Sequence, residues 1–595
     1  MLRELFSGIL LDRLISFKNT FCKDPIEQLG FTKGAQTNDH ILTLKTMIDK
    51  YTKKQRSKLY VCFVDLKKAF DTVSRDLLLF KLVKLGIRGP FFAIIEDMYS
   101  HSLSKIKINN LLSNPIKMDR GTEQGHPLSP DLFKLFIRDL SDMFYCVGDY
   151  PYLSDILITH LLWADDLVLS ALDVSSLQAN VTALHQFCSK WDLSINIKKT
   201  KIVIFERNKM PSDPCPCYLG NELIETVPSY CYLGIVFDRN GTFKTATNEL
   251  RKKALRAKFS LRNSTIKNSL SVNAHFKLFD CLIKPVYLYG CQILAPYSEV
   301  AKYLSRETSE VNSCEQYLKR ISCDPYEKFH LKYIKWCLSV HHKASNIGCW
   351  GETGRYPLLF EALKLSIDYL KRAENADRNS LLFAAYTEQV NLDLDWYRTT
   401  KVLIEKFGTG GSIHSSINCR RNLQSQFSSK WKEAKLDSPK LSFYNTIKCN
   451  FGKEKYLSIS DSNHRNALTR LRISSHNLYV ERGRYTSPIT PRDDRICLFC
   501  LHNFKITTVE SEYHVINECG LYNTIRNSIL ESMTIVPDSP ITSAYDLITN
   551  YADLDYYNKL AGKLTFYIQE LNEKFGSYYN QSPDFQTSHG TCIIL

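Results

Sequence analysis

The most constraining feature of the sequence is a pair of adjacent aspartates inside an otherwise apolar stretch. Residues 156–163 and 167–170 are short apolar runs typical of β-strands, and Ala164-Asp165-Asp166 between them predicts a tight hairpin turn. Two like charges in an apolar hairpin are costly unless a positive charge lies between them, and carboxylate oxygens suit a divalent cation of the magnesium class. The stretch therefore predicts a hairpin that presents two carboxylates to a metal ion.

A third carboxylate lies upstream, at the end of another apolar run. Residues 60–64 are too few for a helix, so they predict a strand that delivers Asp65 to its end. Together with Asp165 and Asp166, it would form a three-carboxylate metal cradle. The residues alone leave a second interpretation open, in which the aspartate pair is a hydrophilic turn and Asp65 caps a helix.

Periodicity and charge set the class of protein. Helical spacing of apolar residues over 73–100 and 175–192, beside these short strands, predicts an α+β fold. A chain of 595 residues is too long for one hydrophobic core and implies several domains. The net charge of +15 favours nucleic acid over a membrane as the polyanionic partner, because no apolar span accompanies it.

Cysteine usage and the two ends of the chain bear on its compartment. The 19 cysteines follow no regular framework, which predicts reduced thiols and an intracellular protein, in the nucleus or the cytoplasm. The first residues have helical apolar spacing with acidic interruptions, unlike a signal sequence. The final Cys592-Ile-Ile-Leu595 fits a prenylation box but lacks upstream basic residues, so we interpret it as a coincidence.

A family resemblance rests on five segments that occur in a fixed order. They are Phe63-Val-Asp-Leu-Lys-Lys-Ala-Phe-Asp71, Arg120-Gly-Thr-Glu-Gln-Gly-His-Pro-Leu-Ser-Pro130, Trp163-Ala-Asp-Asp166, Leu193-Ser-Ile-Asn-Ile-Lys-Lys-Thr-Lys201 and Tyr232-Leu-Gly-Ile235. These resemble motifs A, B, C, D and E of reverse transcriptases. Residues 28–37 are similar to the finger segment that precedes motif A in non-LTR (LINE-type) retrotransposons. The resemblance implies a right-hand polymerase with partial fingers, a ferredoxin-like palm and a helical thumb, which performs RNA-templated DNA synthesis.

The resemblance also implies roles for individual residues. Asp65, Asp165 and Asp166 would hold two Mg²⁺ ions, one activating the primer 3′-hydroxyl and one neutralising the triphosphate leaving group. Phe70 takes the position of the sugar gate, where a bulky ring excludes a ribose 2′-hydroxyl and selects deoxynucleoside triphosphates. A core aromatic residue is the alternative for this side chain.

Three further residues are implied at the same site. Gln124 and Gly125 would lie beside the incoming nucleotide and the template. Lys199 would supply a proton or a positive charge to the departing pyrophosphate. Because Lys198 and Lys201 are neighbours, the alternative for Lys199 is membership of a solvated lysine face.

The sequence departs from the family pattern at several points. Trp163 stands where motif C usually has Phe or Tyr, and His126 occupies a usually small or polar site of motif B. The chain begins after the basic finger motifs that contact the triphosphate, and no endonuclease precedes them. We therefore expect an N-terminally truncated copy, and a catalytically impaired, nucleic-acid-binding relic is the alternative to an active polymerase.

Downstream segments extend the resemblance and introduce a thumb. Residues 279–290 and 351–358 resemble parts of non-LTR polyproteins, which disfavours a group II intron or telomerase-type polymerase. Residues 243–262 predict a basic amphipathic helix that would follow the backbone of an RNA template and DNA primer. Its apolar face would comprise Leu250, Ala254, Ala257 and Leu261. Its cationic stripe would comprise Arg251, Lys258 and Arg262. A solvated helix face is the alternative.

A cysteine and histidine cluster predicts a second metal site. Cys497, Cys500, His514 and Cys519 have the spacing C-x2-C-x13-H-x4-C, which suits one structural Zn²⁺ ion in a closed tetrahedral site. Their flanks look like the C-terminal zinc motif of many such elements, whereas chance spacing in a cysteine-rich chain is the alternative. The predicted regions are 1–238 (fingers and palm), 239–345 (thumb and connection), 346–480 (mostly helical), 481–530 (zinc module) and 531–595 (helical segment and tail).

Overall fold

The computed structural model describes most of the chain. The described residues are 2–123, 125–144, 147–207, 214–263, 270–306, 313–408, 415–458, 461–476, 478–524 and 527. Three sequence predictions lie outside them: the role of Gln124, the prenylation box at Cys592 and the segment 531–595.

The strands of the described residues are short, and all fall in the first half of the chain. They are β1 (Leu59–Asp65), β2 (Leu103–Ser104), β3 (Lys107–Ile108), β4 (Leu111–Leu112), β5 (Ile116–Lys117), β6 (Tyr152–Leu153), β7 (Ile156–Leu157), β8 (His160–Trp163), β9 (Asp166–Ala171), β10 (Lys201–Phe205), β11 (Tyr218–Leu219), β12 (Glu222–Leu223), β13 (Ser229–Tyr232) and β14 (Ile235–Asp238).

Helices surround these strands and continue beyond them. The helices up to residue 263 are α1 (Leu2–Phe21), α2 (Thr37–Ile48), α3 (Ala69–Thr72), α4 (Arg75–Lys84), α5 (Gly89–Ser100), α6 (Ser129–Ile137), α7 (Val174–Lys190) and α8 (Lys244–Asn263). The later helices are α9 (Val272–Leu278), α10 (Lys284–Tyr287), α11 (Cys291–Leu294), α12 (Glu299–Ser305), α13 (Cys314–Cys323), α14 (Pro325–Cys337), α15 (Asn346–Thr353), α16 (Leu358–Glu374), α17 (Leu381–Asn391), α18 (Asp395–Phe407), α19 (Ser415–Leu436), α20 (Ser442–Ile447), α21 (Ser462–Arg472), α22 (Tyr479–Arg482), α23 (Leu498–Phe504) and α24 (Glu512–Asn517).

Shorter helical turns complete the described secondary structure. Two π-helical turns span Asp49–Lys54 and Phe279–Ile283. The 3₁₀ turns are Arg138–Phe144, Ala295–Tyr297, Pro439–Leu441, Lys455–Ser458 and Gly520–Tyr522.

A four-stranded antiparallel sheet organises the first half of the chain. Its order is β10-β1-β9-β8, so β1 is a central strand. Nearly every residue of β1 is buried, because its Val, Phe and Cys side chains are covered on both faces. The chain runs strand, helices, strand, strand, helix, strand through β1, β8, β9, α7 and β10, which is a β-α-β-β-α-β arrangement. The predicted mixture of helices and strands is therefore confirmed.

Two predicted elements are each split into two. The expected strand over 156–163 divides into β7, which pairs with β6, and β8, which pairs with β9. The pairing changes at Ile158 and Thr159, whose carbonyl oxygens accept hydrogen bonds from the Ser170 hydroxyl (2.6 Å) and amide (2.9 Å). The expected helix over 73–100 breaks between α4 and α5, where Gly86 and Gly89 have φ of +93° and +69°.

The described chain forms two compact units. The first contains residues 1–249, 290–297 and 365–402, and the second contains 250–289, 298–364 and the described residues from 403 onward. The second unit is largely helical. Its core includes Trp350, Trp431 and the fully buried Arg472, whose guanidinium donates hydrogen bonds to Glu352 at 2.9 and 3.1 Å. The region boundaries drawn from the sequence stay predictions.

No single helix in the described ranges is long and apolar enough to span a membrane. The segments Val272–Tyr287 and Cys291–Tyr297 meet the requirement only as a broken pair.

Candidate active site and metal centre

The sheet brings the three predicted carboxylates to one end. Asp65 is the last residue of β1 and lies directly opposite Asp166, the first residue of β9. Asp165 stands in the two-residue turn between β8 and β9, where Ala164 adopts a left-handed conformation with φ of +58°. The turn is tight because Trp163 and Asp166 already pair across the hairpin. Their roles in metal binding stay predictions, but their meeting at one edge is a property of the fold.

The electrostatics of this edge indicate a shortage of positive charge. Partial desolvation, together with the carboxylates of Asp165 and Asp65, raises the pKa of Asp166 to about 6. Desolvation, with a smaller contribution from Asp65, also raises the pKa of Asp165. A divalent cation would relieve this repulsion, so the donor set fits a hard, oxygen-liganded ion.

Lys199 is the cation that the described residues place nearest to Asp65. Its Nζ lies 3.7 Å from Oδ1 of Asp65, and its side chain is 67% exposed. The segment before it packs along the strand end, because the Asn196 amide donates to the Asp65 carbonyl (2.8 Å) and the Asp65 amide donates to Thr200 Oγ1 (3.3 Å). Lys199 is thus attached to the carboxylate cluster while its ammonium group stays accessible to solvent.

Phe70 forms part of an aromatic platform next to β1. It lies in the short helix α3, half-buried, with its ring 4.4 Å from Phe133 and 6.1 Å from Phe31, centroid to centroid. The Thr122 amide donates to the Phe70 carbonyl at 2.8 Å, which joins the motif A segment to the motif B segment. The packing holds the ring in place, as the sugar-gate role requires, and it also agrees with the core-aromatic alternative.

Gly125, in the motif B segment, has open space around it. It is exposed, with φ of +85°, and a Cβ added there would meet nothing within 4 Å. The need for glycine is therefore conformational rather than steric in this structure. An open backbone of this kind is compatible with close approach of a nucleotide or template.

The sequence analysis missed a set of hydrogen bonds from Gln28 that holds the turn carrying Asp165, which we call the Gln28 clamp. The Ala164 amide (3.1 Å) and the Gly30 amide (3.0 Å) both donate to Oε1 of the buried Gln28. Gln28 Nε2 reaches the Ala164 carbonyl at 3.4 Å, and the Leu29 amide donates to the Leu162 carbonyl at 3.0 Å. Residues 28–37 were recognised by their similarity to the finger segment of the family. The hydrogen bonds between Gln28 and Ala164 join residues more than a hundred positions apart, so no local sequence pattern predicts them.

The clamp yields a prediction about Gly30. A Cβ at this position would lie 2.2 Å from the Ala164 backbone nitrogen, so Gly30→Ala must displace the turn that carries the aspartates. We expect the polymerase activity that the family resemblance implies to fall by roughly a hundredfold, because about 1 Å of misplacement at a reacting centre has effects of that order.

The matched control is Gly8→Ala. Gly8, like Gly30, lies outside the positive-φ region, and a Cβ added there would meet nothing within 4 Å, so the substitution makes the same chemical change without the clash. Equal loss of incorporation in both variants, measured by primer extension, would show that the contact with Ala164 does not matter.

The two departures from the family pattern have packing partners. The Trp163 ring meets the fully buried His40 edge-on at 5.8 Å, and desolvation lowers the pKa of His40 to about 4, so the imidazole is neutral. His126 Nε2 lies 2.9 Å from the Ser7 hydroxyl. Both bulky residues are thus part of the local packing of the first unit.

A second candidate metal centre lies in the second unit. The ligand atoms of Cys497, Cys500, His514 and Cys519 all lie within 4.8 Å of one another, and all four residues are buried. Cys497 and Cys519 sulfurs are 3.9 Å apart, Cys500 and Cys519 sulfurs 3.7 Å, and Cys500 Sγ is 3.4 Å from His514 Nε2. Tetrahedral Zn–S bonds of about 2.3 Å place two sulfurs about 3.8 Å apart, so the cluster fits zinc.

Local structure positions these ligands. Cys497 precedes α23 and Cys500 lies in its first turn, whereas His514 lies in α24. His514 Nδ1 is 3.1 Å from Glu518 Oε2, which leaves Nε2 turned to the sulfurs. Hydrogen bonding to Cys519 and burial raise the pKa of Cys497 to about 12, which means that the thiolate form is disfavoured. A bound cation would stabilise the thiolate and lower this pKa.

Comparison with known proteins finds similarity over the N-terminal part of the chain. Residues 5–237 match the family described as reverse transcriptase (RNA-dependent DNA polymerase). The chain is 24% identical over 334 residues to a probable RNA-directed DNA polymerase from transposon BS of Drosophila melanogaster, covering 53% of this chain and 36% of that protein. It is 24% identical over 304 residues to the RNA-directed DNA polymerase from mobile element jockey of Drosophila funebris, covering 49% and 32%.

The extent of these matches is partial. The chain spans about a third of the length of the curated relatives it matches. Among solved structures, telomerase from Candida albicans in complex with a fragment of telomeric RNA aligns with 13% identity over 66% of this chain and 58% of that chain, at a TM-score of 0.29. The family resemblance inferred from motifs A to E is confirmed by the sequence relatives.

Proposed function

Since the chain carries a reverse transcriptase domain of the non-LTR retrotransposon kind over residues 5–237, we propose that it is an RNA-directed DNA polymerase. Its substrates would be an RNA template, a DNA primer and deoxynucleoside triphosphates. The observation that carries the proposal is the meeting of Asp65, Asp165 and Asp166 at one sheet edge inside the matched domain. The net charge of +15 supports a nucleic-acid partner.

The carboxylates would hold the catalytic metal. Asp65, Asp165 and Asp166 offer oxygen ligands from a strand end and a rigid turn, and two Mg²⁺ ions bound there would supply charge stabilisation for in-line nucleotidyl transfer. Gln28 keeps the turn in register through its bonds to Ala164 and Gly30. The site is thus preorganised by the protein before any ion or nucleotide arrives.

Phe70 and Lys199 would act on the nucleotide itself. The Phe70 ring, braced by Phe133, would contact the sugar and leave no room for a 2′-hydroxyl. Lys199, whose exposed ammonium lies near Asp65, would give a proton or positive charge to the departing pyrophosphate. Gln124 and Gly125 would complete the contacts to the nucleotide and the template.

The rest of the described chain would support this reaction. We assign the β10-β1-β9-β8 sheet with its helices to a polymerase palm, residues before β1 to partial fingers and α8 to a thumb. Within α8 the predicted apolar residues Leu250 and Ala254 are buried, and Ala257 is half-buried. The predicted cationic stripe is not the exposed one: Arg251 and Lys258 are half-buried, and the Arg262 side chain lies outside the described residues. The exposed basic residues of this helix include Lys252, Lys253 and Arg256, which the sequence analysis did not single out. The zinc cluster would hold the end of the second unit together through one structural Zn²⁺.

Primer extension tests the proposal directly. The full chain, a DNA primer on an RNA template and Mg²⁺ should yield stepwise incorporation of deoxynucleotides and discriminate strongly against ribonucleotides. Phe70→Ala should relax that discrimination by about tenfold or more while retaining incorporation, because it removes a steric gate. Binding of the template–primer without any incorporation would contradict the polymerase and favour the nucleic-acid-binding relic.

A further inference from the structure

The second unit contains a cavity that the polymerase proposal does not use. It encloses about 250 Å³ and is formed by three segments that are distant in sequence: the turn at 341–344, the residue Lys440 and the stretch 475–485. Its lining includes His341, Lys343, Lys440, His476, Glu481 and Tyr485. With Arg482, five of the nine lining residues carry cationic or imidazole groups, and Glu481 carries the one carboxylate.

The carboxylate of Glu481 does not neutralise the cavity. It accepts a hydrogen bond from Lys440, and Arg484 Nε lies 3.0 Å from its second oxygen, so two cations already share one negative charge. Lys343 is exposed and has no carboxylate partner in the described part of the chain. The cavity therefore keeps a surplus of positive charge.

The titration of a neighbouring group agrees with this surplus. Partial desolvation and the nearby His342, Lys343 and Lys440 together lower the pKa of His341. Desolvation is the largest single cause, and the positive charges of the neighbouring groups lower the pKa further, as a locally positive potential does. An anion entering the cavity would therefore meet a favourable field.

An exposed aromatic ring lies at the same place. Tyr485 is 53% exposed, and its ring centroid lies 5.0 Å from Lys343 Nζ and 5.8 Å from Lys440 Nζ. Its hydroxyl accepts from Lys440 (3.2 Å) and donates to Glu481 (3.1 Å), so the ring orientation is fixed. A fixed, exposed ring beside lysines is the combination on which an unpaired base stacks while its phosphate is held by cations.

We propose that this cavity is a binding site for single-stranded nucleic acid, with a backbone phosphate between Lys343 and Lys440 and a base on Tyr485. A recessed site of this size accepts the flexible backbone of a single strand, whereas the phosphates of a stiff duplex stay on its outer surface. The site belongs to the second unit, whereas the three aspartates belong to the first. We expect binding at this site to be independent of catalysis, because the two sites share no residue.

Lysine footprinting on the full chain tests the site residue by residue. The chain is acetylated briefly with and without a single-stranded RNA of about 20 nucleotides, and the modification of each lysine is quantified by mass spectrometry. We expect Lys343 to be protected at least about fivefold, and Lys319, an exposed lysine of α13 in the same unit, to be unchanged. Asp165→Asn should show the same protection, which separates this site from the polymerase.

Each other outcome decides against the proposal. Equal acetylation of Lys343 with and without RNA would refute the site. Protection by duplex DNA as strong as that by the single strand would refute the single-strand preference. Protection by millimolar inorganic phosphate but not by RNA would leave only a small-anion site.

Substitution gives a second, independent measurement. Lys343→Gln should weaken binding of the same RNA about three- to tenfold for all sequences and reduce the slope of log affinity against log salt by about 0.7. Lys319→Gln removes an equal charge from the same unit and should change neither quantity. Because Lys343 is exposed, its loss does not threaten the fold, and an unchanged salt slope would overturn the proposal.

Discussion

Asp165→Asn is expected to reduce primer extension on the order of a thousandfold or more while leaving the affinity for template–primer within about twofold. The substitution keeps the size of the side chain but removes the charge that would hold the metal ions. Extension rates are measured with saturating Mg²⁺ and duplex affinity by fluorescence anisotropy. The expected change is confined to the chemical step, because Asp165 stands in a turn at the sheet edge.

The control for this substitution is Asp155→Asn. Asp155 is exposed in the turn between β6 and β7 and has the same change in charge and shape. It should extend the primer like the natural chain. An Asp165→Asn variant that retains normal extension would remove the basis for the metal assignment.

The same carboxylates predict how the reaction depends on pH. The pKa of Asp166 is about 6, raised by desolvation and by Asp165 and Asp65, so protons compete with metal ions as pH falls through this value. We expect the Mg²⁺ concentration for half-maximal extension to rise steeply below about pH 6.

The stability of the metal-free chain should depend on pH in the opposite direction. Because the pKa of Asp166 is raised in the folded state, ionisation of its carboxyl group disfavours folding, and the free energy of unfolding should fall as pH rises from about 4 to 6.

Two measurements check these signs. Metal titrations of extension at pH 5.5 and 7.5 report the competition, and thermal melts of the metal-free chain report the stability. Asp166→Asn should flatten the pH dependence of the melts, because it removes the titrating group. Half-maximal Mg²⁺ that does not change between the two pH values would contradict the coupled carboxylates.

Removal of zinc is the second change for which we expect a large effect. The chain should bind one zinc ion, and a strong chelator should expose residues 496–519 to proteolysis, because four buried ligand residues would lose the ion that joins them. Cobalt in place of zinc should give the absorption of a tetrahedral thiolate site. Both are measured on the full chain.

Graded substitutions separate ligands from neighbours. Cys500→Ser and His514→Ala remove ligands and should weaken zinc binding by more than about a hundredfold, whereas Glu518→Gln removes only the partner of His514 and should weaken it about ten- to a hundredfold. Cys323→Ser, at an exposed cysteine outside the cluster, should have no effect. Unchanged proteolysis in chelator would mean that the cluster does not depend on metal.

Local patterns in the sequence were sufficient to single out the candidate residues of both centres, although they left a hydrophilic turn and chance cysteine spacing open as alternatives. The adjacent aspartates could be recognised because burying charge in an apolar hairpin is unfavourable in free energy. The candidate zinc ligands could be recognised because few sequences have these residue types at this spacing. The helix over 243–262 was also within reach, since amphipathic periodicity is local, and the structure has it at Lys244–Asn263. The breaks within 156–163 and 73–100 could not be predicted from local patterns. The first depends on a change of strand partner, and the second depends on the backbone conformation at Gly86 and Gly89.

The amino-acid sequence specifies which side chains are available: three carboxylates, four candidate zinc ligands and a surplus of cations. Tertiary structure decided which of them meet. The opposition of Asp65 and Asp166 follows from strand register, and the clamp of Gln28 on Ala164 joins residues 136 positions apart. Lys343, Lys440 and Tyr485 surround one cavity although nothing in their local sequences connects them. Covalent order and periodicity act over a few residues, whereas packing and hydrogen bonding act through space, so only the folded chain brings distant residues into one site.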